Sequence, residues 1–542
     1  MSAASWVRAP VGPDARRWNT VAFRRAVLVV VHTITSANRL ADILPIFESD
    51  PRVQLIYTAI GSSAISDGVV DWLRDIGGTT IPWDQALQTE FALAIAVNHS
   101  GELWKINAPL VILSHGIGYS KYSGAGSRSK FSGAGSPEPG AGYGVSSAHL
   151  LRDGRPFVDA LVLSHEEQLA RLAAVVPQAV PNAVIAGDLC FDRLRLSLPV
   201  RPRYRRALGA RDHTTVVTIS STWGADSLLG ARPTLPAEIV SDLPIDTHRV
   251  QLVLHPNVWY AHGRRQLRSW FADSIRAGLT LIEPEEGWQQ AVLASDVLVG
   301  DHGAVTGYAA ALGIPTLLGV PRSVDVVDGT AIDALYRNAR HLDRRRNLRE
   351  QVAACGVEVA ELTSAHPDEA AQRVRTLCYG LLELDEPDIE APLHPYPVLT
   401  VERPTVSAAV VDGVVEADGL IRMRRLPADL RRFASGEAPD AHLAVDADHP
   451  LRSLRAQAGV LFRYGPADSP PTSPACVVAA VIEGDTAYLA PGSVRLTASD
   501  VPATAAVSAV YLWLSHGRSW ADLPAALWVD LGHGPQPVQV IR

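Results

Sequence analysis

Apolar residues along this chain gather in short continuous runs rather than in alternation with polar ones. Ala26–His32, Val53–Ala59, Ala92–Asn98, Leu110–Ser114 and Ala160–Ser164 are each aliphatic or β-branched at successive positions. Such runs predict parallel strands covered on both faces. Between them, Ala37–Phe47 and Asp67–Asp75 have helical spacing. The alternation predicts a doubly wound α/β domain over residues 26–195, preceded by an irregular lead-in over residues 1–25. The same theme returns with Thr215–Ser220, Gln251–Leu254, Thr280–Ile282, Val297–Gly300 and Thr316–Val320, predicting a second Rossmann-like domain over 196–382. The Pro- and Arg-rich stretch Arg195–Arg206 marks the crossing between them. An acidic, Pro-rich segment over 383–400 reads as a linker. Beyond it, Ala475–Ile482, Ala487–Ala490, Ser508–Leu514 and Leu527–Leu531 read as short strands of a smaller β-rich accessory domain over 401–542.

Composition narrows the class. The 542 residues are 47% hydrophobic and 20% charged with a net charge of -8, which excludes disorder and gives no support to bulk nucleic-acid binding. The apolar run near the start, Ala26–Val31, is far shorter than a bilayer span and too polar in its sequel for a signal peptide. Four scattered cysteines indicate neither a disulfide scaffold nor a zinc site, so the expected setting is cytoplasmic. The insertion from Ser123 to Gly144 carries SGAGS twice and reads as a loop or a lid beside a cleft. Of 49 basic residues only Lys105, Lys121 and Lys130 are lysines, all in one stretch, which suggests a use for compact ammonium groups there.

The stretch Ser295–Gly319 carries the strongest chemistry. An apolar strand ends at Gly300, Asp301-His302-Gly303-Ala304 follows, and a small-residue helix begins. Small residues let a ligand approach the backbone, and free amides at the helix start point at it with the positive end of the dipole. A pyrophosphate is the expected occupant, with His302 adding a hydrogen bond or charge and Thr306 capping the helix or reaching the same phosphate. An ordinary tight turn that binds nothing is the plain alternative. His115, followed by Gly116 and Gly118, should sit at the carboxyl edge of the first sheet and face the cleft. A near-neutral histidine there suits a general base for a hydroxyl. Tyr119, Lys121 and Lys130 are candidate acceptor or phosphate contacts, and His32 a candidate acceptor contact or cap. His255, held extended by Pro256, projects from its strand towards the cleft. Thr222 and Trp223 are candidate nucleotide contacts, and Glu285 with its acidic neighbours a candidate ribose or base contact. Asp325 and Asp328 are weaker candidates for sugar hydroxyls. The basic Arg340–Arg349 reads as a solvated helix face.

DHGAVTGYAAALGIP, from Asp301, resembles the nucleotide-diphosphate loop of GT-B transferases. LVILSHGIGYSKY (Leu110–Tyr122), AGDLCFDRL (Ala186–Leu194) and VLHPN (Val253–Asn257) follow in the order and spacing of the CDP-glycerol glycerophosphotransferase family, the teichoic-acid-type polyol-phosphate transferases. The resemblance covers about residues 25–380 and implies two Rossmann-like domains facing across a cleft. It implies His115 as acceptor base and His255 as a donor-phosphate contact. The family's Asp-Tyr-Ser-Ser turn falls on Asp301-His302-Gly303-Ala304, so both serine hydroxyls are missing. The departure is closer to sugar-nucleotide transferases.

The expectation is therefore a cell-envelope transferase moving a polyol-phosphate or glycosyl group from a nucleotide-diphosphate donor to an acceptor hydroxyl. No cofactor and no metal are expected, since helix dipole and basic side chains can replace a metal. The partners would be a nucleotide-activated small molecule and a glycan, polyol or small-molecule acceptor, with room for peripheral association at the inner membrane face. Two rivals use the same residues: a sugar-nucleotide epimerase or hydrolase, and a degenerate, non-catalytic binding protein.

Overall fold

A computed structural model describes residues 6–12, 17, 19–60, 67–114, 116–122, 142–346, 351, 356–436, 440–466, 470–490 and 494–542. The first sheet is built from β1 (Arg25–Val31), β2 (Val53–Ala59), β3 (Leu93–Ala96) and β4 (Leu110–Leu113). After a small hairpin of β5 (Leu151–Arg152) and β6 (Arg155–Pro156), it continues with β7 (Ala160–Leu163) and β8 (Ala183–Ile185). All six sheet strands are parallel, in the order β2-β1-β3-β4-β7-β8. The continuous apolar runs have their reason here. Val27, Val29 and Val31 enter a core on one face, and Leu28 and Val30 enter another on the opposite face.

The second sheet uses β9 (Thr215–Ser221), β10 (His248–Leu254), β11 (Leu279–Ile282), β12 (Val297–Gly300), β13 (Thr316–Leu318) and β14 (Arg340–His341). It is also parallel, in the order β11-β10-β9-β12-β13-β14. Both sheets are therefore Rossmann-like, as expected. Strand direction of winding reverses between β1 and β3 in the first sheet and between β9 and β12 in the second. Ligand crevices of open α/β sheets form at the carboxyl ends of such strands.

Arg195–Arg206, which runs from the first sheet to the second, lies within two helices, Leu189–Ser197 and Arg201–Ala207, and a short 3-10 turn between them. Other local expectations are corrected. The described part of Arg340–Arg349 is not helical: it is the edge strand β14 followed by a turn. Helix Ala370–Leu382 follows the second sheet in sequence but presents Ala370, Val374, Cys378 and Leu382 to the first sheet's core. The linker is extended and pinned, because buried Tyr396 donates from its hydroxyl to Asp42 and takes the Tyr204 hydroxyl on its carbonyl.

The remaining strands are β15 (Ala408–Val415), β16 (Leu420–Pro427), β17 (His442–Asp446), β18 (Val460–Tyr464), β19 (Val478–Glu483), β20 (Thr486–Ala490), β21 (Val494–Thr497), β22 (Ala526–Asp530) and β23 (Pro535–Ile541). They close into a barrel. Ser508–Leu514, expected as a strand, lies in helix Ala503–Ser515, whose Ala505, Val507, Ala509, Val510 and Leu512 are buried against the barrel strands. Such a helix, buried nearly all round, reads from sequence like a strand in a two-faced core. A 3-10 turn, Ala428–Phe433, leaves the barrel and inserts Leu430 into the second sheet's core beside Val217 and Leu252. Among the described residues no helix is long and apolar enough to cross a membrane.

Candidate functional site

The loops that follow the carboxyl ends of β4 and β12 meet across the interface between the sheets. After β4 the chain turns through Ser114, whose hydroxyl donates towards the carbonyls of Gly116 and Gly118. Gly118 has φ 58° with the Gln168 amide 2.7 Å from where a Cβ would stand, so only glycine fits there. This turn lies directly on the start of helix Ala304–Ala311: a Cβ on Gly116 would sit 3.6 Å from that of Ala304. His115 lies outside the described residues.

Next, Ser120–Tyr122 pairs across the interface with Asp325–Val327, through Tyr122 N–H to the Asp325 carbonyl (2.8 Å) and Val327 N–H to the Ser120 carbonyl (3.0 Å). The pairing carries Lys121 from the first domain to the second, where its Nζ lies 3.3 Å from the Thr222 hydroxyl. Burial pushes the Lys121 ammonium below the usual lysine range, opposed by Asp301, Asp325 and Asp226. Of the other lysines, Lys105 pairs with Glu102 at the surface and Lys130 lies outside the described residues.

Around the helix start the predicted residues divide. Asp301 is fully buried, and its carboxylate accepts from the amides of Gly303 (2.9 Å), Thr222 (2.9 Å) and Leu228 (2.7 Å). This is a correction. Asp301 organises the loops, and the Gly303 amide is occupied by it rather than left for a phosphate. Thr306 is fully buried and fills the notch above Gly300, and its hydroxyl oxygen has no hydrogen-bond partner among the described residues. The amides of Ala304 and Val305 have no acceptor among the described residues, and Gly303 caps the helix without a side chain. His302 is 5% exposed, and its Nδ1 has no hydrogen-bond partner among the described residues. Burial first, then Lys121, holds its imidazole below the usual histidine range. An unmatched buried polar atom of this kind costs roughly 1–3 kcal/mol.

Three carboxylates surround Lys121. Asp301 is consumed by backbone, and Asp226 takes the Ser323 hydroxyl at 2.7 Å. Asp325 Oδ1 is buried without a partner among the described residues, and burial together with Asp226 raises its pKa. Asp328 pairs with Arg322.

His255 is half-buried, and its Nδ1 accepts from the Asn257 amide at 3.1 Å as cap of helix Pro256–His262, with the ring 6.4 Å from half-exposed Trp223. Glu285 is corrected: its carboxylate is engaged by Arg264 and by the Tyr260 hydroxyl, so it braces the domain instead of facing a ribose. His32 is buried and donates from Nε2 to the Ser100 carbonyl at 2.8 Å, which ties β1 to β3 at the first winding reversal and removes it from direct acceptor contact.

The structure adds residues that were not singled out. His99 lies 5.9 Å from the ring of Tyr119, 6.4 Å from Tyr143 and 5.7 Å from His149. Tyr143 donates to Asn98 at 3.0 Å, while the buried Tyr119 hydroxyl has no partner among the described residues. The signal was Asn98-His99 at the end of an apolar run. Beneath the Ser114 turn, Arg39 pairs with Asp188 through two nitrogens at 2.9 Å each and donates to the Ser114 carbonyl at 3.1 Å. Tyr308, from the 304–311 helix, donates to the same Asp188 at 2.9 Å. This buried network locks the first-sheet turn to that helix. Among the described residues no group of three or more His, Cys, Asp or Glu side chains is placed to hold a metal ion.

No family description and no curated protein matches the chain. Solved structures of similar fold include the wall teichoic acid polymerase TagF, at 11% identity and TM-score 0.42, covering 68% of this chain and 92% of that one. The UDP-GlcNAc 2-epimerase from Neisseria meningitidis bound to UDP-GlcNAc is 14% identical with TM-score 0.38, over 66% of this chain and 99% of that one. The UDP-GlcNAc 2-epimerase from Methanocaldococcus jannaschii is 11% identical with TM-score 0.40, over 66% of this chain and all (100%) of that one.

Proposed function

We propose that this chain is a transferase that moves a polyol-phosphate or glycosyl group from a nucleotide-diphosphate donor to an acceptor hydroxyl. The observation that carries the reading is the unpartnered, buried His302 Nδ1 beside the open amides of Ala304 and Val305, with Lys121 delivered to the same place from the opposite domain. The donor diphosphate lies against these groups, where the helix start, the imidazole and the ammonium stabilise the charge that develops on the leaving group. The acceptor enters at the carboxyl edge of the first sheet, between Gly116 and the His99–Tyr119–Tyr143 cluster. His115 takes the hydroxyl proton. The oxygen then attacks phosphorus with release of a nucleoside monophosphate, or the anomeric carbon with release of a nucleoside diphosphate. Positioning by two rigid sheets supplies most of the rate.

The test is a thermal-shift panel of CDP, UDP, GDP, ADP and dTDP on the full chain. A donor nucleotide at about 100 times its Kd stabilises the fold by about 2.7 kcal/mol. Lys121→Met should remove about 2 kcal/mol of that binding, roughly thirtyfold in Kd, and His115→Ala should abolish transfer while leaving the shift intact. No shift with any nucleotide overturns the reading.

A second reading, a non-catalytic binding domain, is favoured by one observation: three carboxylates face Lys121, and Asp301 already occupies the Gly303 amide. Nucleotide binding without turnover in the presence of candidate acceptors would select it.

A further inference from the structure

We infer that the cavity between the second sheet and the barrel binds a phosphorylated small molecule, at a site separate from the interdomain one. Its volume is about 630 Å³, ample for a sugar phosphate or nucleotide. It opens at the amino edge of the second sheet, where Arg249 is the second residue of β10, whereas the proposed donor site lies at the carboxyl edge. A seven-residue strand separates the two edges by roughly 20 Å.

The lining is rich in guanidinium groups. Arg249 comes from the sheet, Arg403 from the segment entering the barrel, and Arg425 from β16. Asp246 is the carboxylate facing them, and it is already taken by Arg425 through two bonds of 2.9 and 2.5 Å. Arg425 is further fixed by donating to the Thr504 hydroxyl at 2.7 Å. Arg249 donates to the carbonyls of Ile245 and His248, both at 2.7 Å. Among the described residues neither Arg249 nor Arg403 forms an ion pair with a carboxylate. Burial, with smaller contributions from Arg403, Arg211 and Arg425, holds the Arg249 pKa below the usual arginine range, opposed by Asp246.

Three guanidiniums, Arg249, Arg403 and Arg425, share this recess with one carboxylate, Asp246, and the excess positive charge is relieved by an anion. A phosphomonoester matches them in charge and in the planar, bidentate geometry that arginine offers. The Tyr464 ring, 48% exposed on the cavity wall, offers a flat apolar face to the body of such a ligand. The inference does not depend on the proposed transfer reaction.

The test uses the full chain with ribose 5-phosphate and adenosine 5′-monophosphate as probes, and ribose and adenosine as uncharged controls. Hydrogen exchange should slow over residues 244–250 and 401–409 with the phosphorylated probes and not with the controls. Calorimetry should show affinity falling about tenfold in Arg403→Glu and in Arg249→Gln, and unchanged at this site in Lys121→Met. Arg403 is exposed, so its variant keeps the fold and its result is decisive. The inference is overturned by protection confined to the 300–307 region, by no protection at all, or by full affinity in Arg403→Glu.

Discussion

His302 joins the two halves of the proposed chemistry through its protonation. In the free protein the ring is held neutral by burial and by the Lys121 ammonium. A bound diphosphate brings negative charge to it and raises its pKa, so the complex holds the proton to higher pH than the free protein does. Affinity for a nucleoside diphosphate should therefore rise as pH falls through the complexed pKa, by up to about tenfold per pH unit, and level off below the free pKa. The free value lies below the ordinary 6.5, so the plateau lies below that pH. His302→Gln should flatten this profile while leaving binding at pH 8 and above nearly unchanged. Titration calorimetry at a series of pH values reads both. A profile that keeps its slope in the variant would assign the proton elsewhere, with Asp325 next in line because its carboxyl is also raised.

The 304–311 helix is an element whose position depends on what lies under its first turn. Thr306 fits only because Gly300 has no side chain. Gly300→Ala drives a methyl into a β-branched side chain that cannot rotate away, and should destabilise the fold by about 1–3 kcal/mol in urea unfolding. The first turn is displaced with it, so nucleotide affinity should fall as well. Removing the opposing atoms in Gly300→Ala/Thr306→Ala should restore part of both losses, a coupling that independent sites do not show. Gly116→Ala is the contrast. Its new methyl would make an ordinary contact at 3.6 Å with Ala304, so stability should hardly change. Such pairs of glycines look alike in a sequence and differ only in what the opposing element places above them.

Across the whole molecule, the barrel and the second sheet are joined by more than a linker. Leu430 crosses from the barrel's 3-10 turn into the sheet's core, and Arg276 reaches back to buried Asp429 at 2.9 Å. The Asp246–Arg425 pair closes the same junction with both side chains 5% exposed. These contacts predict that second sheet and barrel unfold together. Leu430→Ala should lower the stability of both by about 2–5 kcal/mol, and calorimetry should then resolve two transitions where the parent shows one shared by them. Separate transitions in the parent chain would mean that the junction holds the pieces side by side without coupling them.

Both parallel sheets were legible in the sequence because a strand buried on two faces needs apolar residues at every position, whatever its neighbours are. The helix start at 303–304 was legible for a similar reason, since a strand, small residues and a helix follow one another locally. Helix 503–515 was misread because burial all round erases the periodicity that separates helix from strand. Asp301 and Glu285 have the composition of ligand-binding residues, and the fold uses them for its own amides and its own Arg264. The meeting of Lys121 with Thr222, the Arg39–Asp188–Tyr308 lock and the arginine-lined cavity join residues up to 269 positions apart. Local propensity contains nothing about such distant pairs. Only the packing of one sheet against the other, and of the barrel against the second, decides which charges end up together.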